Sequence, residues 1–261
     1  MLSITDHLVL RTIDGAADLL VEELRAMPSV HSVNQTSAVT VECVLDGPLD
    51  EVAACPLYST VQFGDGSVRL TWTHRFGRHE RLPWSTNYVV AEVLVRMAKL
   101  RAGQRLLDPF CGTGTILRAA HRLEPAIRLV GLDHDHPKVM KAKAEALPLA
   151  DGCVDRVVAN LPFGKQVGSH RDNLRLYPAV LQELDRVLTP DGRVVLLTED
   201  KRLLRDAVQR SPFKVVRERL FRYNGATPTA YVLTRSRAGG RRSPSTPRAA
   251  SRRRGPGTPA P

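Results

Sequence analysis

The chemistry of this chain is concentrated in two short runs. In the first, Asp108-Pro109-Phe110-Cys111-Gly112-Thr113-Gly114-Thr115 sets two glycines between an apolar run ending at Leu106 and Leu107 and an amphipathic stretch from Ile116 to Leu123. A strand, a glycine loop and a helix N-terminus in succession mark the crevice where open α/β sheets bind ligands. Gly112 and Gly114 lack Cβ, so the backbone there can take positive φ and approach a ligand closely. The unpaired N–H groups of the first helical turn attract a carboxylate, and Asp108 is placed to accept from an ammonium. Phe110, Cys111 and Thr115 complete the loop. A second apolar segment, Ile127 to Leu132, ends in Asp133 and His134, about twenty residues beyond the loop, where a carboxylate can accept from both hydroxyls of a ribose. The loop alone leaves three readings open: S-adenosylmethionine, a nicotinamide dinucleotide, or a plain strand-to-helix turn. The dinucleotide pattern lacks its third glycine, since the position is Leu117.

The second run is Asn160-Leu161-Pro162-Phe163-Gly164, which follows a buried strand formed by Val154, Val157, Val158 and Ala159. In a parallel sheet that strand end lies beside the first loop. The Asn160 side-chain carbonyl and the Leu161 backbone carbonyl are able to accept the two hydrogens of a planar amine. Such an amine is a poor nucleophile because its lone pair is delocalised. Acceptors that favour its pyramidal form act most strongly in the transition state. Pro162 stiffens the hook, and Phe163 offers a ring on which a base can stack. Asn160, Leu161, Pro162 and Phe163 are therefore the candidate catalytic residues. The pair of runs favours methyl transfer from S-adenosylmethionine to a flat nitrogen substrate, with Asp108, Phe110, Cys111, Gly112, Gly114, Thr115, Asp133 and His134 as the cofactor-binding set.

Three stretches, Asn160 to Lys165, Asn173 to Pro178 and Gly192 to Thr198, together with the DPFCGTGT loop, resemble the THUMP-domain tRNA guanine-N2 methyltransferases, a group that includes ribosomal RNA enzymes. The similarity runs from roughly 66 to 235, and Leu8 to about Val61 is more weakly similar to the group's N-terminal ferredoxin-like piece. The resemblance implies a Rossmann-like methyltransferase sheet, S-adenosylmethionine as cofactor, and formation of N2-methylguanosine in RNA, most simply tRNA. Two departures stand out. Only a few residues around Gly64-Asp65-Gly66 stand where the group carries its THUMP domain, which grips the tRNA acceptor end. The interval from Asp133 to Asn160 also has room for only one helix, expected over Pro137 to Leu147, so a strand is expected to be missing at the sheet edge. Lys143 there replaces the acidic residue that the group sets against the cofactor's adenine. An ammonium cannot accept from the adenine amine, so weaker cofactor binding is expected, partly relieved by Glu145.

These patterns divide the chain into a ferredoxin-like N-terminal domain over 1–65, a methyltransferase domain over 66–235 and a tail over 236–261. In the first, a strand from Leu8 to Ile13, a helix from Ala16 to Met27, two strands through Val44 and a short helix from Leu49 to Ala54 are expected. In the second, a basic run at Arg75, Arg78, His79 and Arg81 precedes a helix capped by Ser85. Leu176, Val180, Leu184, Val187 and Leu188 recur at helical spacing, Val194 to Leu197 is a buried strand, and Lys201 to Gln209 a surface helix. Phe213 to Phe221 and Ala230 to Thr234 make a closing antiparallel pair.

Formal charge is +11, and the tail, with seven arginines and no acid, accounts for all but +4 of it. Its Arg, Pro, Ser and Gly content cannot bury enough apolar surface to fold, and suits phosphate contact. Cys43, Cys55, Cys111 and Cys153 show no paired spacing, which fits a reducing cytoplasm. Asp133-His134-Asp135-His136 has no distant third ligand, so it reads as a polar loop, and no metal is expected. No membrane span or signal segment is expected either. Two other readings compete. In one the acceptor is another planar amine (adenine N6 in DNA, or a protein glutamine). In the other the chain is an RNA-binding protein that has lost catalysis.

Overall fold

The computed structural model describes residues 5–77, 85–163 and 170–236. Its N-terminal part runs β1 (Thr5–Arg11), α1 (Ala17–Arg25), β2 (Val30–Ser37), β3 (Thr40–Asp46), α2 (Leu49–Ala53), β4 (Thr60–Phe63) and β5 (Val68–Thr71). The strands form one antiparallel sheet in the order β2-β3-β1-β4-β5. Its first four strands and two helices have the ferredoxin-like connection. Helix α1 forms because Ala17, Leu20, Val21 and Leu24 recur on one face, and all four are buried.

After α3 (Trp72–Phe76) and α4 (Tyr88–Ala98), the chain continues as β6 (Arg105–Asp108), α5 (Thr115–Leu123), β7 (Arg128–Asp133), β8 (Met140–Lys141), β9 (Val154–Asn160), α6 (His170–Val187), β10 (Leu188–Thr198), α7 (Lys201–Gln209), β11 (Phe213–Leu220) and β12 (Thr229–Arg235). The seven strands lie in the order β11-β12-β10-β9-β6-β7-β8. The five from β10 to β8 are parallel, and β12 runs antiparallel to both β10 and β11. The central strands are apolar on both faces, as parallel strands covered by helices must be. Val158, Val195 and Leu197 face a core shared with α4 and the first sheet, while Val157, Ala159, Val194 and Leu196 face a core beneath α6 and α7.

Four expectations are corrected. The division at 65/66 falls within a hairpin turn, where Ser67 N–H bonds the Asp65 carboxylate at 2.8 Å and Gly66 has φ +84, so the first sheet runs on to Thr71. Gly64-Asp65-Gly66 thus belongs to the turn of the β4–β5 hairpin. No helix spans Pro137 to Leu147. The third strand of the parallel set is present as the two-residue β8, paired Leu132↔Met140 and Asp133↔Lys141, and no helix stands on either side of it between β7 and β9. Alanine-rich propensity loses here because α6 takes the backbone groups: Glu183 accepts from Leu147 N–H at 2.7 Å, and Arg186 donates to the Leu147 and Leu149 carbonyls. Finally, α4 is capped by Asn87, whose Oδ1 accepts from Val89 and Val90 N–H, and not by Ser85. The expected tail beyond Ser236, the basic residues Arg78, His79 and Arg81, and Gly164 and Lys165 lie outside the described residues.

The first sheet is tied to the second by charge as well as by core packing. Glu92 on α4, fully buried, accepts from Arg122 of α5 at 2.6 and 2.9 Å and from Arg96 at 3.0 Å, and Arg96 reaches Glu23 of α1 at 2.5 Å. Removing one partner of a buried network strands the others. Glu92→Ala is therefore expected to lower unfolding free energy by about 3–5 kcal/mol in urea titrations; a loss under about 1 kcal/mol would mean the arginines are solvated there.

Candidate active site

Three adjacent strands, β9, β6 and β7, end together at the carboxyl edge of the parallel sheet. The register pairs Leu107 with Val157 and Asp108 with Gly131, so Asp108, Asp133 and Asn160 leave the same edge on neighbouring strands, about 4.8 Å apart laterally. The glycine loop and the Asn160 hook therefore border one crevice.

The loop is held by its neighbours. Cys111 N–H bonds the Leu132 carbonyl at 3.0 Å, and Gly112 N–H bonds Asp133 Oδ2 at 2.8 Å. Gly112 and Gly114 take φ of +47 and +80, a region that L side chains rarely adopt, and a Cβ added at Gly112 would meet no atom within 4 Å. The backbone there faces open space, as close approach to a ligand requires. Gly114 caps α5 without a side-chain cap, so the first-turn N–H groups have no capping acceptor from it.

Asp108 is buried and accepts from Phe110 N–H at 3.1 Å. Burial pushes its carboxyl up to about 8; the Phe110 hydrogen bond pulls the other way, and the neighbouring Asp133 carboxylate adds to the rise. Burial, with Asp108 and Asp133 nearby, likewise pushes the Cys111 thiol up to about 12, so it is no nucleophile at neutral pH. Asp133 has a second task that its sequence position did not reveal. Besides Gly112, it accepts from Asp135 and His136 N–H at 2.9 and 3.0 Å and so shapes the turn after β7. His134 is exposed and bonds Asp135 at 2.6 Å. Among the described residues, no three His, Cys, Asp or Glu side chains gather into a metal site. Thr115 Oγ1 is buried without a partner, and Phe110 packs on the core beneath α6. Lys143 and Glu145 are both exposed.

The hook is rigid for reasons the motif alone does not disclose. Leu161 N–H bonds the Leu197 carbonyl at 3.0 Å, anchoring the chain to β10. The Pro162 carbonyl accepts from Asn173 Nδ2 and from the Tyr177 hydroxyl, both at 2.8 Å, and Tyr177 is itself bonded to Thr198 at 2.9 Å. Asn173, Tyr177 and Thr198 are all buried. Asn173 and Tyr177 sit one turn apart on α6, the spacing that sets two side chains side by side. With Pro162 oriented this way, the Asn160 side chain carries a buried Oδ1 that has no hydrogen-bond partner among the described residues. Phe163 is half-buried against the first core. Tyr177→Phe, which deletes the hydroxyl and keeps the ring, is expected to cost about 1 kcal/mol of stability. Turnover should drop about tenfold with cofactor affinity unchanged. Full turnover in that variant would show that the Pro162 contact is dispensable.

A parallel sheet closed by an antiparallel pair, with a glycine loop after its first strand and an Asn-Leu-Pro-Phe hook after its fourth, defines a Rossmann-like methyltransferase. The chain belongs to the family described as RMKL-like, methyltransferase domain, which matches residues 77–132 and 134–228. Among curated relatives, the tRNA (guanine(6)-N2)-methyltransferase of Thermus thermophilus is 34% identical over 163 residues, covering 56% of this chain and 48% of the relative. The human tRNA (guanine(6)-N(2))-methyltransferase THUMP3 is 43% identical over 93 residues, 34% of this chain and 18% of the relative. The bovine U6 snRNA (guanine-N(2))-methyltransferase THUMPD2 is 31% identical over 129 residues, 42% of this chain and 25% of the relative. The chain thus spans half or less of each of these three. Among solved structures, TrmN from Thermus thermophilus superposes with a TM-score of 0.72 at 21% identity, covering 88% of this chain and 99% of that one. A possible methylase from Clostridium difficile 630 superposes at 0.67 and 12% identity, covering 91% and 100%. These two show the same fold, and the relatives bear out the resemblance to the THUMP group of guanine-N2 methyltransferases.

Proposed function

We propose that the chain transfers a methyl group from S-adenosylmethionine to the exocyclic N2 of a guanosine in RNA, most simply tRNA. The observation that carries this reading is the buried, unpartnered Asn160 Oδ1 at the sheet edge that also bears the open Gly112 loop. A lone acceptor out of water is costly unless a donor completes it, and an amine N–H is such a donor. The curated relatives, named for guanine-N2 transfer in tRNA or U6 snRNA, supply the acceptor class.

The residues present fit the cofactor. Positive-φ glycines leave room for it, the first-turn N–H groups of α5 and Asp108 suit its amino-acid end, and Asp133 suits its ribose. S-adenosylmethionine supplies an electrophilic methyl carbon on a sulfonium, so nitrogen attack breaks a carbon–sulfur bond. The protein's part is orientation. Asn160 Oδ1 and the Leu161 carbonyl accept the amine hydrogens and favour the pyramidal nitrogen that bonds to carbon; one of those protons then leaves to solvent. Phe163 stacks on the base. No helix among the described residues is long and apolar enough to cross a membrane.

Methyl-labelled cofactor incubated with tRNA, ribosomal RNA and DNA tests the proposal. Label in the guanosine of tRNA is expected. Label in ribosomal RNA alone would move the substrate, and label in DNA adenine or in protein would replace guanosine with another planar amine. No label despite measurable cofactor binding would leave an RNA-binding protein without catalysis.

A further inference from the structure

Two titratable groups of opposite type flank the glycine loop, and neither has an ion-pair partner among the described residues. Asp108, at its start, is buried and accepts only from Phe110 N–H among the described residues. Arg118, in the first turn of α5, donates Nη1 to the Thr113 carbonyl at 2.7 Å, and that nitrogen lies 3.5 Å from where a Gly114 Cβ would stand. The other edge of its guanidinium, Nε and Nη2, is buried with no hydrogen-bond partner, and it forms no ion pair with a described carboxylate. Arg122, one turn further along α5, shows the usual solution: its guanidinium is matched by Glu92. Burial pushes the Arg118 guanidinium down from its ordinary range; nearby Tyr88 pulls the other way, and the Arg122 cation adds to the fall. Beside it, Thr115 is 6% exposed and its hydroxyl also has no partner.

Polar groups held out of water without partners are costly. A guanidinium edge without acceptors and a buried acid that can ionise beside a cation, both on one loop, match a ligand that brings an anion and a cation together: the zwitterion of an α-amino acid. We infer that Arg118, with Thr115 and the first-turn N–H groups of α5, binds the carboxylate at the methionine end of the cofactor, while Asp108 faces the ammonium. The inference rests on the S-adenosylmethionine reading. It goes beyond the helix N-terminus, because a fixed guanidinium edge adds a full charge and two oriented donors. An RNA phosphate fits the same edge less well, since it gives Asp108 no partner and meets the Asp133 carboxylate that holds the loop.

Calorimetric titration of the full chain tests this, using S-adenosylhomocysteine and methylthioadenosine, which lacks the amino-acid end. Arg118→Met is expected to weaken S-adenosylhomocysteine about 10–100-fold and leave methylthioadenosine within about twofold. Arg118→Lys, which keeps the charge but loses the fork, should fall between. Equal losses for both ligands would make Arg118 a mere support of the loop and overturn the inference. So would an undiminished S-adenosylhomocysteine affinity, or a loss confined to tRNA binding. Wild-type protein that binds neither ligand would instead refute the cofactor reading on which the inference stands.

Discussion

Asn160→Ala is expected to slow methyl transfer by about 10²–10³-fold while S-adenosylhomocysteine and RNA affinities stay within about twofold. The split follows from position. Asn160 ends β9, and its Oδ1 is buried and unpartnered, so its removal deletes an acceptor whose value is greatest as the amine nitrogen becomes tetrahedral. Fold is spared because the neighbouring anchors, Leu161 N–H to Leu197 and the Pro162 carbonyl to Asn173 and Tyr177, do not involve the Asn160 side chain. Asn160→Asp separates geometry from chemistry further. It keeps the acceptor and adds a charge in a partly dry site, so activity should rise above that of the alanine variant. An alanine variant with undiminished turnover would remove Asn160 from the mechanism.

The second large effect is on pH dependence, through Asp108. Its native carboxyl is raised from 3.8 to about 8, so the free protein holds that proton at neutral pH. The sign follows directly. A carboxyl that keeps its proton more tightly when folded contributes stability that is fully present below the unfolded value and is lost as pH rises through about 8. The wild type should therefore lose stability relative to Asp108→Asn between those limits, by at most about 6 kcal/mol in urea titrations across the range. Cofactor binding runs the other way. An ammonium placed beside Asp108 favours the carboxylate, so binding expels the proton. Affinity for S-adenosylhomocysteine should then rise by up to about tenfold per pH unit between about 6 and 7.5. Asp108→Asn should bind more weakly and with a flat profile. Parallel profiles in the two proteins would mean that Asp108 is already ionised before the ligand arrives.

Much of this was legible in the residues, because the features concerned are local. Lys201–Gln209 and Val154–Asn160 declare themselves by apolar spacing and by runs of β-branched residues, and the structure gives them those bounds. The two motifs read correctly as neighbours because a parallel sheet aligns its strand ends. What was not legible depended on distant partners. Residues 137–147 have helical composition, yet Glu183 and Arg186 from α6 hold the backbone of Leu147 in another form. Asn87 rather than Ser85 caps α4, a two-residue shift that side-chain chemistry alone does not decide. The 65/66 boundary fell inside a hairpin because the partner of β4 there, Val68–Thr71, is only four residues long and carries little apolar pattern. Arg118, Asn173 and Tyr177 escaped as candidate site residues for a related reason. Each acts through what it touches or lacks in space, and only the one-turn spacing of Asn173 and Tyr177 left a trace in the sequence.

The most direct measurement is a crystal structure of the protein with S-adenosylhomocysteine. The ligand is expected along the Gly112–Thr115 loop, its carboxylate against α5, its ribose at Asp133 and its sulfur facing the Asn160 side chain across the crevice. A ligand bound away from the carboxyl edge of β6, or turned so that its sulfur points away from Asn160, would contradict the assignment of this crevice to methyl transfer.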